Sequence, residues 1–158
     1  MERNITCSVN LECASKEAFE MFTVNKKLVE WLCPAADVEP VVGGKYELFW
    51  NPEDKEHDST VGCEITALVE GRYLSFEWKG PRQFAHFMNE AEPLTQVTVF
   101  FVPCEGPSLS TDVSLVHSGW GDSKEWDEAR KWFERAWTSA FKELKSKAPS
   151  AAYEQGQK

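Results

Sequence analysis

KEWDEARKWFERAWTSAFKEL, residues 124–144, decides the fold. Trp126, Ala129, Phe133, Ala136, Trp137, Ala140, Phe141 and Leu144 recur at spacings of three and four, opposite Lys124, Asp127, Glu128, Lys131, Glu134 and Lys142. That is the pattern of an amphipathic helix with one buried face. Asp122 or Ser123 can cap it, just after the breaker Gly119-Trp120-Gly121. Two dozen residues at ~1.5 Å rise span about 36 Å, enough to cross a whole sheet.

The chain before this helix supplies the sheet. Ile5, Cys7, Val9, Leu11 and Cys13 alternate with polar residues, the period of a half-buried strand. Ser15 can cap a short helix over about 16–22, and a second helix runs over about 26–32 until Pro34 ends it. Behind the turn Gly43-Gly44, the residues Tyr46, Leu48 and Trp50 alternate as a strand, and residues 51–59 form an acidic loop. Val61, Cys63, Ile65, Ala67 and Val69 then pair with Leu74, Phe76 and Trp78 in a hairpin that Gly80-Pro81 closes. Residues 81–94 lack a clean period yet hold Phe84, His86, Phe87 and Met88, which marks a candidate lid or cavity wall. The last strands are 95–102 and 109–117. The first of these carries apolar residues on both faces, so it should be central or covered on both sides.

A strand, two helices, five strands and a long helix, without a repeat or linker, make an α+β two-layer arrangement. One domain over residues 1–147 is expected, followed by a small, polar, disordered tail over 148–158. A net charge of -9 without basic runs excludes a phosphate-tracking surface, so nucleic acid is not an expected partner. Five scattered cysteines form no Cys-x-x-Cys pair, which speaks against a disulfide framework and against zinc. With no apolar export signal and no stretch of about 18 apolar residues, a cytoplasmic protein without membrane insertion is expected.

Several short pieces, taken together, resemble the family of homologues of the activator of heat shock protein 90 ATPase, within the START/Bet v 1-like (SRPBCC) helix-grip superfamily. They are Ala18-Phe19-Glu20-Met21-Phe22-Thr23, Glu30-Trp31-Leu32, Gly43-Gly44-Lys45-Tyr46-Glu47-Leu48, Arg72-Tyr73-Leu74-Ser75-Phe76-Glu77-Trp78, Thr95-Gln96-Val97-Thr98, Thr111-Asp112-Val113 and His117-Ser118-Gly119-Trp120-Gly121. The resemblance spans about residues 6–144. It implies a helix-grip fold, a curved antiparallel sheet of six or seven strands wrapped on the C-terminal helix, with an internal cavity for an apolar small molecule. It does not imply one activity, since the superfamily hosts carriers, cyclases and cochaperones.

Seven Trp and ten Phe exceed what packing a chain of 158 residues recruits, which favours an aromatic-lined cavity. Its candidate lining is Tyr46, Leu48, Trp50, Cys63, Ile65, Phe76, Trp78, Phe101, Val113, Leu115 and His117 from the sheet. Trp126, Phe133 and Trp137 come from the helix, and Phe84, His86 and Trp120 from the loops. The helix residues read equally as plain core. His117 is either a satisfied buried histidine or a polar contact at the cavity end; His86 lies at the surface or the pocket rim; His57 is solvated in its acidic loop. No metal spacing, nucleophile elbow or phosphate loop occurs, so neither a cofactor nor a catalytic residue is expected. Three readings follow: binding of an apolar, aromatic or lipid-like small molecule; a cochaperone-type interaction that stimulates a chaperone ATPase; or a small cyclase or hydrolase using His86 or His117. Self-association into a homodimer through a sheet edge or the last helix is open to all three.

Overall fold

Alternation along residues 5–11 produces strand β1 (Ile5–Leu11), and the two short helices follow as α1 (Ser15–Thr23) and α2 (Asn25–Trp31). Residues 3–150 are described by the computed structural model. The remaining elements are β2 (Ala35–Val38), β3 (Tyr46–Phe49), β4 (Ile65–Val69), β5 (Tyr73–Trp78), the short helix α3 (Ala85–Met88), β6 (Thr95–Pro103), β7 (Thr111–Ser118) and α4 (Lys124–Lys147). The expected disordered tail lies, from residue 151 onward, outside the described residues. Within them, Ala148 caps α4 and the Ser150 hydroxyl donates to Glu12.

Five strands pair antiparallel in the order β1-β7-β6-β5-β4. The hairpin β2-β3 forms a separate two-stranded sheet, so the seven strands divide five and two. The expected single strand over residues 61–69 begins only at Ile65, because Gly62 takes a φ of 89° and the ladder shifts register between Ile65 and Ala67. This irregular stretch joins the two sheets through bridges Lys45↔Glu64 and Phe49↔Ser59. Thr60 sits at the junction, fully buried. Its hydroxyl accepts from the Leu48 amide at 2.8 Å and donates to the Tyr46 carbonyl at 2.9 Å, standing in for a backbone partner.

β6 is central, as its composition predicts, but only one of its faces is covered. Val97, Val99 and Phe101 are buried, whereas Phe100 and Val102 are exposed on the outer side of the sheet. The inner side packs on α4, whose Ala129, Phe133, Trp137, Phe141 and Leu144 are buried. Ser123 caps that helix by accepting from the Trp126 amide. Further along, Phe141 meets Phe22 and Trp31 edge-on, and Phe22 meets Phe101, tying α1 and α2 under the same helix. No helix among the described residues is long and apolar enough to cross a membrane.

Candidate functional site

α4 approaches the sheet with large rings at positions 133 and 137 but with Ala136 and Ala140 beside them, and two methyl groups cannot fill the space that rings would. The result is a pocket of ≈540 Å³, open on one side, a size that suits a small molecule. Its walls come from four places: Trp31 and Leu32 at the end of α2, Trp50 and Asn51 after β3, Trp78 to Pro81 after β5, and Trp132 to Glu143 of α4. Asp58 and Ser59 close the rim. Five of the seven tryptophans line it, with Phe133.

Of the residues expected to line a cavity, Trp50, Trp78, Phe133 and Trp137 do line this pocket. Tyr46, Leu48, Cys63, Ile65, Phe76, Phe101, Val113, Leu115 and His117 are packed into the core, none more than 2% exposed. There Tyr46 stacks on Phe76 at 3.8 Å and its hydroxyl donates to the Phe22 carbonyl at 2.7 Å, while burial pushes the phenol well above its ordinary pKa. Trp120 is buried against His117 and Phe133, and Trp126 sits half-buried beside Phe87. Phe84 packs edge-on against Trp132 behind the pocket wall, and His86 is exposed, paired with Glu125 at 2.7 Å. Sequence reasoning missed Trp31, Leu32 and Trp132 as lining. Trp132 sits off the apolar stripe of α4, so a helical period alone does not find it.

His117 belongs to a buried relay rather than to a wall. The Trp137 indole N–H donates to its Nδ1 at 3.1 Å, which fixes the neutral tautomer with the proton on Nε2. Nε2 in turn donates to Thr95 Oγ1 at 3.0 Å, and Thr95 Oγ1 donates to the Trp78 carbonyl at 3.5 Å. The relay therefore runs from the Trp137 indole to the main-chain carbonyl of Trp78 at the end of β5, and burial alone lowers the His117 pKa to about 3.

A polar cluster is built on the rim residue Asp58. The Arg82 amide donates to Asp58 Oδ1 at 2.7 Å and its guanidinium pairs with Asp54 at 3.2 Å, with His57 on the other side of Asp54 at 3.0 Å. These contacts tie the acidic loop to the segment after β5. Lys79 reaches the Val61 carbonyl at 2.7 Å, and Glu143 stands exposed at the edge. Cys33 and Cys63 are buried, and desolvation pushes both thiols up to about 12. No group of three His, Cys, Asp or Glu side chains among the described residues could hold a metal ion. The arrangement can stack and desolvate an apolar ring; the pocket wall contains no histidine to move a proton.

Comparison with known proteins agrees with this architecture. The model of a family described as activator of Hsp90 ATPase homolog 1-like protein matches residues 12–148. Among solved structures, a protein from Mesorhizobium loti superposes with a TM-score of 0.65 at 18% identity, over 89% of this chain and 94% of that one. The Aha1 dimer from Colwellia psychrerythraea gives 0.64 at 17% identity, over 90% and 92%. An HSP90 activator from Plasmodium falciparum gives 0.66 at 17% identity, over 90% and 94%. At such identities the likeness shows the fold. No curated protein sequence matches the chain.

Proposed function

The chain belongs to the family of activator of Hsp90 ATPase homolog 1-like proteins, and from that premise we propose that it binds an apolar small molecule, aromatic or lipid-like, in the pocket between the sheet and α4. The observation that carries this reading is the wall itself: five indoles and a phenyl ring around ≈540 Å³. Trp31, Trp78, Phe133 and Trp137 are only 3–6% exposed, so Trp50, at 39%, and half-buried Trp132 present most of the ring surface a guest would cover, at roughly 25 cal/mol per Å² removed from water. Rings at right angles to one another, such as Trp50 on Trp78 and Trp132 on Phe133, offer both faces and edges to a flat guest. The test is native mass spectrometry of the full chain purified from its own host, beside a denatured control. Release of an apolar compound on unfolding supports the proposal. If the protein carries no compound and a panel of aromatic and acyl probes also fails to bind, the proposal is wrong.

A second reading, stimulation of a chaperone ATPase, is supported by the family's description and by the Plasmodium falciparum activator among its structural relatives. An ATPase assay with purified Hsp90 tests it directly: an unchanged rate at saturating protein rejects it. The hydrolase reading loses its best base, because both ring nitrogens of His117 are engaged in the core.

A further inference from the structure

The pocket has one unsatisfied feature. Indole N–H is a donor only, and buried tryptophans normally find it a partner. Trp31 donates to the Met21 carbonyl at 2.8 Å, Trp120 to the His117 carbonyl at 2.9 Å and Trp137 to His117 Nδ1 at 3.1 Å. Trp78, only 3% exposed, has no acceptor for its Nε1–H among the described residues. Its neighbours are rings: Trp137 at 5.2 Å, Trp50 edge-on at 5.8 Å, Phe76 at 5.9 Å, His117 at 6.1 Å and Phe133 at 6.4 Å, and the acceptor nitrogen of His117 is already taken by Trp137. A buried donor in this position calls for an explanation.

The other polar groups of the wall lean the same way. Asp58 Oδ1 already accepts from Arg82, the Ser59 hydroxyl donates to the Lys55 carbonyl, and Asn51 Oδ1 accepts from Glu53. Asn51 Nδ2 and the further hydrogens of the Lys79 ammonium remain as donors, and the exposed Ser139 hydroxyl can donate or accept. The acceptors that remain are carboxylate oxygens at the rim: Asp58 Oδ2, 3.7 Å from the Arg82 guanidinium, and Glu143, which stands at the outer edge in water.

We propose that the guest carries a hydrogen-bond acceptor, such as a carbonyl oxygen on an aromatic skeleton, which receives the Trp78 Nε1–H. The proposal rests on the pocket-binding reading above and adds the polar half of the ligand. Of the rings around Trp78, Trp50 is the most exposed, at 39%, and so is the one that can yield to a guest.

The test uses a matched pair of probes, 1-acetylnaphthalene and 1-ethylnaphthalene, titrated into the full chain with ¹⁵N-labelled tryptophan. The ketone should bind about 5- to 10-fold more tightly, the worth of one hydrogen bond. The Trp78 indole proton, assigned through its contacts to the Trp50 and Phe133 rings, should move downfield with the ketone and not with the hydrocarbon. In Trp78→Phe the preference should fall below about twofold; should that variant fail to fold, the two wild-type readouts decide. Equal binding of both probes with an unmoved indole proton overturns this inference and leaves the pocket reading standing. Failure of both probes to bind overturns this inference, and the pocket reading falls with it only if the native mass spectrum shows no released compound and the wider probe panel also fails.

Discussion

His117 is buried without a charged neighbour to rescue its protonated form, and this makes acid a specific threat to the fold. A free histidine titrates near 6.5, whereas His117 in the fold stays neutral down to about pH 3. Between those values the unfolded chain binds one proton more than the folded one, so stability is full above pH 6.5 and falls as pH drops. From pH 7.5 to pH 5 the loss from this residue alone amounts to about 2 kcal/mol, set by the unfolded pKa as long as the folded one lies well below 5. The assay is urea denaturation followed by tryptophan fluorescence at both pH values, for wild type and for His117→Asn. His57 and His86, exposed beside Asp54 and Glu125, are common to both proteins, so whatever they contribute cancels in the difference. Wild type should lose about 2 kcal/mol more than the variant over this interval. Parallel losses, or a native His117 resonance that titrates above pH 5, would refute the reasoning.

Three other outcomes follow from particular contacts. Tyr46→Phe removes the donor to the Phe22 carbonyl and strands a buried acceptor, so the urea midpoint should fall by roughly 0.5–1 M with an unchanged slope; an unmoved midpoint counts against that bond. Ser123→Ala deletes the α4 cap and should cost about 1 kcal/mol, or roughly 2–4 °C in melting temperature by calorimetry, while leaving probe binding intact. Iodoacetamide at pH 8 should label half-buried Cys104 before Cys33 and Cys63, and peptide mapping that finds either buried thiol labelled first would contradict their burial.

What could be read from the sequence was periodicity. The alternation of β1 and β5–β7 and the stripe of α4 report which way each side chain faces, and that fixes layers and most strand pairs. β2 was hidden because Ala35–Val38 is four residues long and buries only Val38; it exists through its pairing with β3. The segment 59–64 reads as strand by alternation at Val61 and Cys63, but Gly62 turns it. For the site, periodicity identifies Phe133 and Trp137 as inward and stops there. Whether an inward side chain meets a neighbour or a gap depends on what stands opposite, and here Ala136 and Ala140 open the gap while Trp31 arrives from a distant helix. Tyr46, Phe76 and Leu115 face inward just as clearly, and they are solid core.

The hydroxyl of Thr60 carries a lesson about how such a protein can change over evolution. It clamps β3 just before the acidic loop leaves and just after that loop returns, so strand register is fixed independently of whatever lies between. Residues 51–57, between that clamp and the contacts of Asp58 and Ser59 with Trp50 and Phe49, can therefore gain or lose members at small entropic cost without shifting the sheet. Because Asn51, Asp58 and Ser59 rim the pocket, insertions and deletions there would alter the choice of guest while the frame stays as it is. Position 60, by contrast, accepts only serine or threonine, since valine of the same shape would orphan the Leu48 amide and the Tyr46 carbonyl together.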